Sequence, residues 1–319
     1  GHIVAGVAEK WEITETGATF WLRKNAKWSD GKTVTAKDFV FAWKTALDPA
    51  TASEYAFILY PIKGAEAINT KKADPTTLGA QAVDDYTLKI AFEKPCGYFM
   101  GLTSFATYFP VREDVYKKWG EKFAADADKM LFNGPFVLTK WVHGASLRMD
   151  KNPTYWNAKA VDLETIDVPY ITNDEMARFN FFKDKKIDVL GLNKENLQNA
   201  QKEKFKLKRF SDGSLFFLEY NFRDGHVVKN KNLRKAIQLV FNGEEYVNKV
   251  VGVPGTTPGI SLIPRWLMGK KDNFRKEYPV SLVKPNVAEA KKYMEKARKE
   301  LGISGPGSIA CLTGDSRFA

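Results

Sequence analysis

Residues 20–49 read F-W-L-R-K-N-A-K-W-S-D-G-K-T-V-T-A-K-D-F-V-F-A-W-K-T-A-L-D-P, and the first part of this stretch has the pattern of a short strand. Phe20 and Leu22 alternate with Trp21 and Arg23. A two-residue period of this kind places alternate side chains on opposite faces of a strand. We therefore expect one buried and one more exposed face at the start of the segment.

A turn and a helix follow this strand. Residues 29–31, Ser-Asp-Gly, predict a tight turn, because glycine accepts the positive φ that such a reversal needs. Thr35 is a good N-cap, and Asp38 places an acid in the first helical turn, as in a weak capping box. Asp48-Pro49 predicts the end of the helix. Apolar residues recur at helical spacing in between: Phe39, Ala42, Trp43 and Ala46.

The same segment carries a family resemblance. The pattern L-R-x-x-A-K-W-S-D-G-x-x-V-T-A-x-D-F-V-x-x-W, residues 22–43, resembles the signature of extracytoplasmic solute-binding proteins of family 5, the oligopeptide- and dipeptide-binding proteins of ABC importers. N-G-P-F at residues 133–136 and N-P-T-Y-W at residues 152–156 are similar to a second family pattern, a hairpin and corner with an architectural role. The resemblance implies an α/β fold of the type II (cluster C) periplasmic-binding-protein kind, with mixed β-sheets, several lobes, a hinge and a ligand cleft.

The resemblance also implies a division of the chain. Residues 1–112 correspond to most of the small second domain, residues 113–213 to the middle part of the first domain, and residues 214–319 to the first half of the third. On this alignment the chain is a fragment that lacks both ends of the family's length. The alternation of predicted strands and helices is consistent with an α/β protein.

Composition narrows the class of protein. The chain has 319 residues, 44% of them hydrophobic and 13% aromatic, which fits a globular protein with more than one core. Its net charge is +11, but the 49 basic residues are mixed with 38 acidic ones and do not form one basic run. No zinc-finger or RNA-binding signature is present, so nucleic-acid binding is not expected. A solvated basic surface explains the charge, and attraction to an anionic cell surface is the alternative.

The sequence shows no catalytic, metal or cofactor motif, and we expect a protein that binds rather than catalyses. Asp84-Asp85 lies on a predicted turn, where Asp is favoured for backbone reasons. His2, His143 and His226 are scattered, and Cys96 and Cys311 are too few for a disulfide framework or a zinc site. Whether the two cysteines are free stays open. No segment is apolar enough over about 18 residues to span a membrane.

Four residues are candidates for ligand contact through the resemblance. Tyr55, in T-A-S-E-Y-A, matches a tyrosine that lines the family's peptide cleft. Glu219 matches a pocket acid on a predicted strand over residues 215–221, and Phe217 shares its face. Asn193 follows a predicted buried strand, residues 187–190, where the family chain approaches the cleft. The family's main anchor for the peptide ammonium lies beyond Ala319, so we expect this segment alone not to form the complete cleft.

The resemblance thus predicts a binding subunit that captures an extended peptide between two lobes and delivers it to a permease and its ATPase. We expect a monomer in the periplasm, or on the cell surface as a lipoprotein. Membrane association would come only through the permease or a lipid anchor. Other solutes of the family (dipeptides, nickel, haem or sugars) remain alternatives, as does a surface adhesin or signalling-peptide receptor with this fold and no import role.

Overall fold

A computed structural model describes residues 3–210, 214–264, 266–281 and 283–304. The chain forms two compact units, Gly1–Asp174 and Glu175–Ala319, and each is described by itself. The division into 1–112, 113–213 and 214–319 stays a prediction.

Two antiparallel sheets organise the first unit. The first has the strand order β1-β2-β4-β3 and the second the order β5-β6-β7. The strands are β1 (Ala8–Ile13), β2 (Gly17–Leu22), β3 (Ala80–Ala82), β4 (Thr87–Ala91), β5 (Phe136–Val142), β6 (Ser146–Lys151) and β7 (Thr165–Val168). The helices are α1 (Ala36–Leu47), α2 (Ala65–Asn69), α3 (Phe99–Leu102) and α4 (Glu113–Trp119), and short 3-10 turns lie at residues 49–51, 56–59, 75–77, 106–108, 120–122, 127–129 and 158–160.

The strand and helix predicted from residues 20–49 are confirmed. Phe20 and Leu22 are buried at 7% and 3% exposure, and Phe20 pairs with Leu88 across the β2–β4 ladder. Helix α1 covers this sheet with Ala42, Trp43 and Leu47, because the apolar residues recur once per turn on one face. The Trp43 Nε1–H donates to the Tyr108 carbonyl at 3.1 Å, which satisfies the polar atom of a buried ring.

Thr35 and Asp38 form the capping box at the start of α1. The Asp38 carboxylate accepts hydrogen bonds from the Thr35 backbone N–H at 2.8 Å and from Trp28 Nε1–H at 3.2 Å. Burial raises the pKa of Asp38, although these hydrogen bonds favour its charged form. The sequence therefore identified both the cap and the helix start correctly.

The Trp28–Gly31 turn is joined to distant parts of the first unit. Gly31 has φ of 87°, as the predicted turn requires. The Ser29 backbone N–H donates to the Phe132 carbonyl at 2.7 Å, and the Phe132 N–H donates to Ser29 Oγ at 3.2 Å. The Thr154 hydroxyl lies 3.1 Å from the Trp28 carbonyl. The two family motifs thus contact each other, and the corner at residues 152–156 has the architectural role that we predict for it.

The described part of the second unit consists of helices joined by stretches without regular secondary structure. Its helices are α5 (Glu175–Lys183), α6 (Lys194–Lys202), α7 (Lys231–Val240), α8 (Gly243–Glu245), α9 (Phe274–Glu277) and α10 (Val287–Leu301), with a 3-10 turn at Val227–Lys229 and a π-helical turn at Tyr246–Val251. Asn230 ahead of an apolar helical pattern predicts an N-cap, and its Oδ1 caps α7 by accepting from the Leu233 N–H at 3.0 Å. Helices α7 and α10 pack around a small core of Val228, Leu233 and Ala297.

Two strand predictions in this unit are wrong. Residues 187–190 and 215–221 form no strand, and Val189 and Phe216 are 85% and 75% exposed. Both runs have the apolar, β-branched or aromatic composition of strands, but neither pairs with another segment in the described part of the unit. A strand depends on that pairing, which composition cannot supply. The helical spacing of apolar residues predicts buried positions for Met176, Val240 and Phe241, but all three are exposed. The apolar run at residues 309–312 predicts a strand and lies outside the described residues.

Candidate functional site

Tyr55 lies at the start of the 3-10 turn Ala56–Leu59 in the first unit. Ala56 and Leu59 are buried at 3% and 0% exposure and anchor this turn in the core. The Ile58 carbonyl accepts a hydrogen bond from the Tyr108 hydroxyl at 2.9 Å, which fixes the turn to a second segment. Tyr55 itself is half exposed, so a rigid backbone presents its ring to solvent.

Three exposed rings cluster at this position, and we call them the aromatic surface: Tyr55, Phe57 and Phe105. The Tyr55 ring centroid lies 6.0 Å from that of Phe57 and 5.2 Å from that of Phe105. Phe57 and Phe105 are 56% and 39% exposed. Contiguous exposed apolar surface often marks a binding site. No sequence motif points to Phe57 or Phe105, and the contact between Tyr55 and Phe105 joins residues far apart in the chain.

Phe217 and Glu219 lie in the extended segment that follows residue 213 in the second unit. Phe217 is 62% exposed, and Glu219 is exposed as well. The neighbouring Tyr220 packs against the α7–α10 core, and burial raises the pKa of its hydroxyl. The segment therefore has one anchored end and presents Phe217 and Glu219 to solvent, but not on the strand that we predicted.

Asn193 is the N-cap of α6. Its Oδ1 accepts a hydrogen bond from the Asn196 backbone N–H at 2.9 Å, so the oxygen of its side-chain amide is used in capping the helix. Tyr55 belongs to the first unit, and Asn193, Phe217 and Glu219 belong to the second. Their assignment to one ligand site stays a prediction.

A charged cluster that the sequence analysis missed is centred on Arg112. The guanidinium is buried, donates to Asp30 at 2.9 Å and forms a fork with Asp114. Lys32 adds a third contact, 3.3 Å from Asp114. The cluster lines a cavity of about 270 Å³ together with Trp119 and Asp128. Arg112 therefore holds the turn at Asp30 against α4, because it contacts carboxylates on both segments.

The ion pair between Arg112 and Asp114 should make the stability of the first unit depend on pH in the acidic range. Hydrogen bonds from Arg112 hold the pKa of Asp114 well below its ordinary value of 3.8. Because the folded-state pKa is lowered, the stabilisation is fully present above that ordinary value and is lost progressively as the pH falls from there towards the lowered pKa of the folded state. We expect the denaturant midpoints of wild type and Asp114→Asn to converge between about pH 5 and about pH 2. Asp162→Asn, an exposed acid, is the control, and a constant gap between Asp114→Asn and wild type would contradict the assignment.

Neither a metal site nor a membrane span was found in the described ranges. Within them, no group of three or more His, Cys, Asp or Glu side chains is placed to hold a metal ion. Nor does any helix there combine the length and the apolar character needed to cross a bilayer.

Comparison with known families identifies the class. Residues 2–307 match the model of the bacterial extracellular solute-binding proteins, family 5 Middle. The chain therefore belongs to this family. The α/β fold of periplasmic solute-binding proteins that the sequence motifs predict is confirmed by this match and by the solved structures below.

Individual relatives are named as binding proteins. The chain is 35% identical over 315 residues to the oligopeptide-binding protein OppA of Bacillus subtilis, covering 95% of this chain and 56% of the relative. It is 34% identical over 297 residues to the dipeptide-binding protein DppE of the same organism, covering 92% and 54%. The chain thus spans little more than half the length of these relatives.

Solved structures give the same picture. The substrate-binding domain of an oligopeptide ABC transporter from Bacillus anthracis superimposes with a TM-score of 0.80 at 37% identity, over 93% of this chain and 58% of that one. Listeria monocytogenes OppA bound to peptide superimposes with a TM-score of 0.79 at 35% identity, over 94% and 60%.

Proposed function

We propose that the protein is the extracytoplasmic oligopeptide-binding component of an ABC importer. It captures an extended peptide and delivers it to the permease and its ATPase, and it catalyses no reaction. The relatives named as oligopeptide-binding and dipeptide-binding proteins support this proposal, as does the relative whose structure holds a peptide. The peptide would lie between the first domain, to which residues 113–213 correspond, and the third, to which residues 214–319 correspond.

The observation that carries the proposal in this chain is the aromatic surface. The three rings are exposed on two segments, and buried Ala56 and Leu59 fix the backbone of the one that carries Tyr55 and Phe57, so these rings are pre-organised for contact with a ligand. Aromatic rings contribute large contact areas without requiring one particular partner side chain. Phe217 and Glu219 would contribute from the second unit, and Asn193 would approach the same cleft.

Replacing Tyr55 tests the aromatic surface. We expect Tyr55→Ala to weaken binding of mixed tri- to pentapeptides about tenfold, because the cluster loses its central ring. Calorimetry on the protein purified from its native source measures this affinity. Tyr98→Ala is the matched control, since Tyr98 is 66% exposed in the same unit but outside the aromatic surface. Equal affinity of wild type and Tyr55→Ala would remove Tyr55 from the site.

Native mass spectrometry of the purified protein tests the function itself. Peptides that remain bound through purification would support an oligopeptide-binding role. A bound haem, nickel ion or sugar would instead place the protein in another branch of the family. Permease and ATPase genes beside its own gene favour import, whereas their absence favours a surface receptor or adhesin.

A further inference from the structure

The positive charge of the chain is concentrated in the second unit. Residues 175–319 contain 28 of the 49 basic residues and 16 of the 38 acidic ones, a net charge of +12. Residues 1–174 contain 21 basic and 22 acidic residues, a net charge of −1. The net positive charge of the chain therefore belongs to one part of the protein, which an evenly solvated basic surface does not explain.

Helix α10 carries a lysine stripe on its outer face. Lys292, Lys296 and Lys299 recur four and three residues apart, opposite the buried Ala290 and Ala297. All three lysines are exposed. Lys291 flanks the stripe, and Glu295 lies on the same face. Among the described residues, none of these five charged side chains forms an ion pair.

A lysine of α7 extends this stripe into a patch. The Lys235 ammonium lies 4.8 Å from the centre of the Tyr293 ring, and the Lys296 ammonium lies 5.7 Å from the same centre. One ring is thus approached by two cations from two helices. We call the five residues Lys235, Lys291, Lys292, Lys296 and Lys299 the lysine patch.

The other acids of α10 do not neutralise the patch. Glu300 accepts hydrogen bonds from the side-chain amides of Asn230 at 2.7 Å and Asn232 at 2.8 Å. These bonds hold the pKa of Glu300 below its ordinary value, so it stays ionised, but it is directed to α7. Glu289 lies 3.5 Å from the Asn286 amide at the helix start. Like charges four residues apart destabilise a helix, so an anionic partner would relieve this repulsion.

We propose that the lysine patch docks the protein onto an anionic phospholipid surface. Four of the five lysines lie side by side on the exposed face of α10, which suits a laterally extended array of phosphates rather than one small ligand. Two ammonium groups already contact the Tyr293 ring and would compete with a stacking base, which disfavours single-stranded nucleic acid. This route to a membrane is separate from the permease and from any lipid anchor.

Vesicle partitioning tests the proposal. The probe is a vesicle of equal parts phosphatidylglycerol and phosphatidylcholine, with pure phosphatidylcholine as the neutral comparison. Each patch lysine near an anionic surface should change partitioning about fivefold, so K291Q/K292Q/K296Q/K299Q should reduce it by on the order of several hundred-fold at low salt. Wild-type binding should also weaken as salt screens the charges.

Two control variants make the result specific. K183Q/K186Q/K249Q/K276Q removes the same total charge from lysines that are paired with acids elsewhere in the unit, and it should bind as wild type does. Replacing the same four lysines (291, 292, 296 and 299) with arginine keeps the charge of the patch, and this variant should still bind. It tests the proposal even if the Gln variant fails to fold. Lysine and glutamine have similar helix propensities, so circular dichroism should show no loss of helix.

Several outcomes would overturn the proposal. These are failure of the wild type to bind the anionic vesicle, equal loss in both Gln variants, or loss of binding in the Arg variant. Tighter binding to a short DNA duplex than to the vesicle, removed by the same four Gln substitutions, would assign the patch to nucleic acid instead.

Discussion

Phe99→Ala is expected to destabilise the first unit by about 3–5 kcal/mol. Phe99 is fully buried, and its ring contacts those of Phe92, Tyr108 and Phe20 at centroid distances of 4.6, 5.7 and 6.5 Å. These rings join the strands of the first sheet to the segment after α3. Truncation leaves a cavity among aromatic side chains, which are too rigid to collapse into it.

Urea unfolding followed by tryptophan fluorescence measures this effect. Seven of the eight tryptophans lie in residues 1–174, so the signal reports mainly on the first unit. Phe109→Ala is the matched control, because Phe109 is 54% exposed and its removal should cost less than about 1 kcal/mol. Equal losses for the two variants would show that Phe99 does not hold the core together.

Asn152→Ala is expected to cost about 3 kcal/mol. Asn152 is 1% exposed, and its Nδ2–H donates to the Gly134 carbonyl at 2.8 Å. Its Oδ1 accepts from the Thr154 backbone N–H at 3.1 Å and lies 2.7 Å from the Thr154 hydroxyl. Alanine leaves these backbone groups without partners in a buried corner, and their desolvation is then uncompensated.

The nearby Asn157 supplies the control for this prediction. It is exposed, and its side chain makes no capping hydrogen bond to the 3-10 turn that follows it. Asn157→Ala should therefore change the urea midpoint little. If Asn152→Ala also left the urea midpoint unchanged, water or a rearranged backbone would be replacing the hydrogen bonds of Asn152. That outcome would contradict the architectural role assigned to the corner.

The first unit was largely predictable from sequence because its patterns are local and its strands find partners there. The alternation at Phe20 and Leu22, the cap at Thr35 and the hairpin over residues 136–151 each have a short-range signal. The segment 215–221 has an equally strong apolar signal, but strand formation needs a neighbour whose presence no local pattern reports.

The candidate site was less predictable, for a related reason. Family motifs pointed to Tyr55, and the structure shows its ring exposed. Phe105 gave no signal because its contact with Tyr55 is tertiary, and Phe57, two residues from Tyr55, is part of no family motif. Arg112 was visible only as a domain boundary, since its partners Asp30 and Asp114 are separated by 84 residues of sequence. The role of a charge depends on which segments meet around it.

The contacts of the Trp28–Gly31 turn set an order of events in folding. The turn meets Phe132 and Thr154, which follow it by more than one hundred residues. The loop between Trp28 and Thr154 spans 126 positions, and closing so long a loop costs more chain entropy than pairing strands that are closer in sequence. Strands β1–β4 can therefore pair before the long loop closes. Until the loop closes, the turn within the family motif at residues 22–43 lacks its contacts to Phe132 and Thr154. A chaperone or protease would then find these polar groups of the turn still exposed.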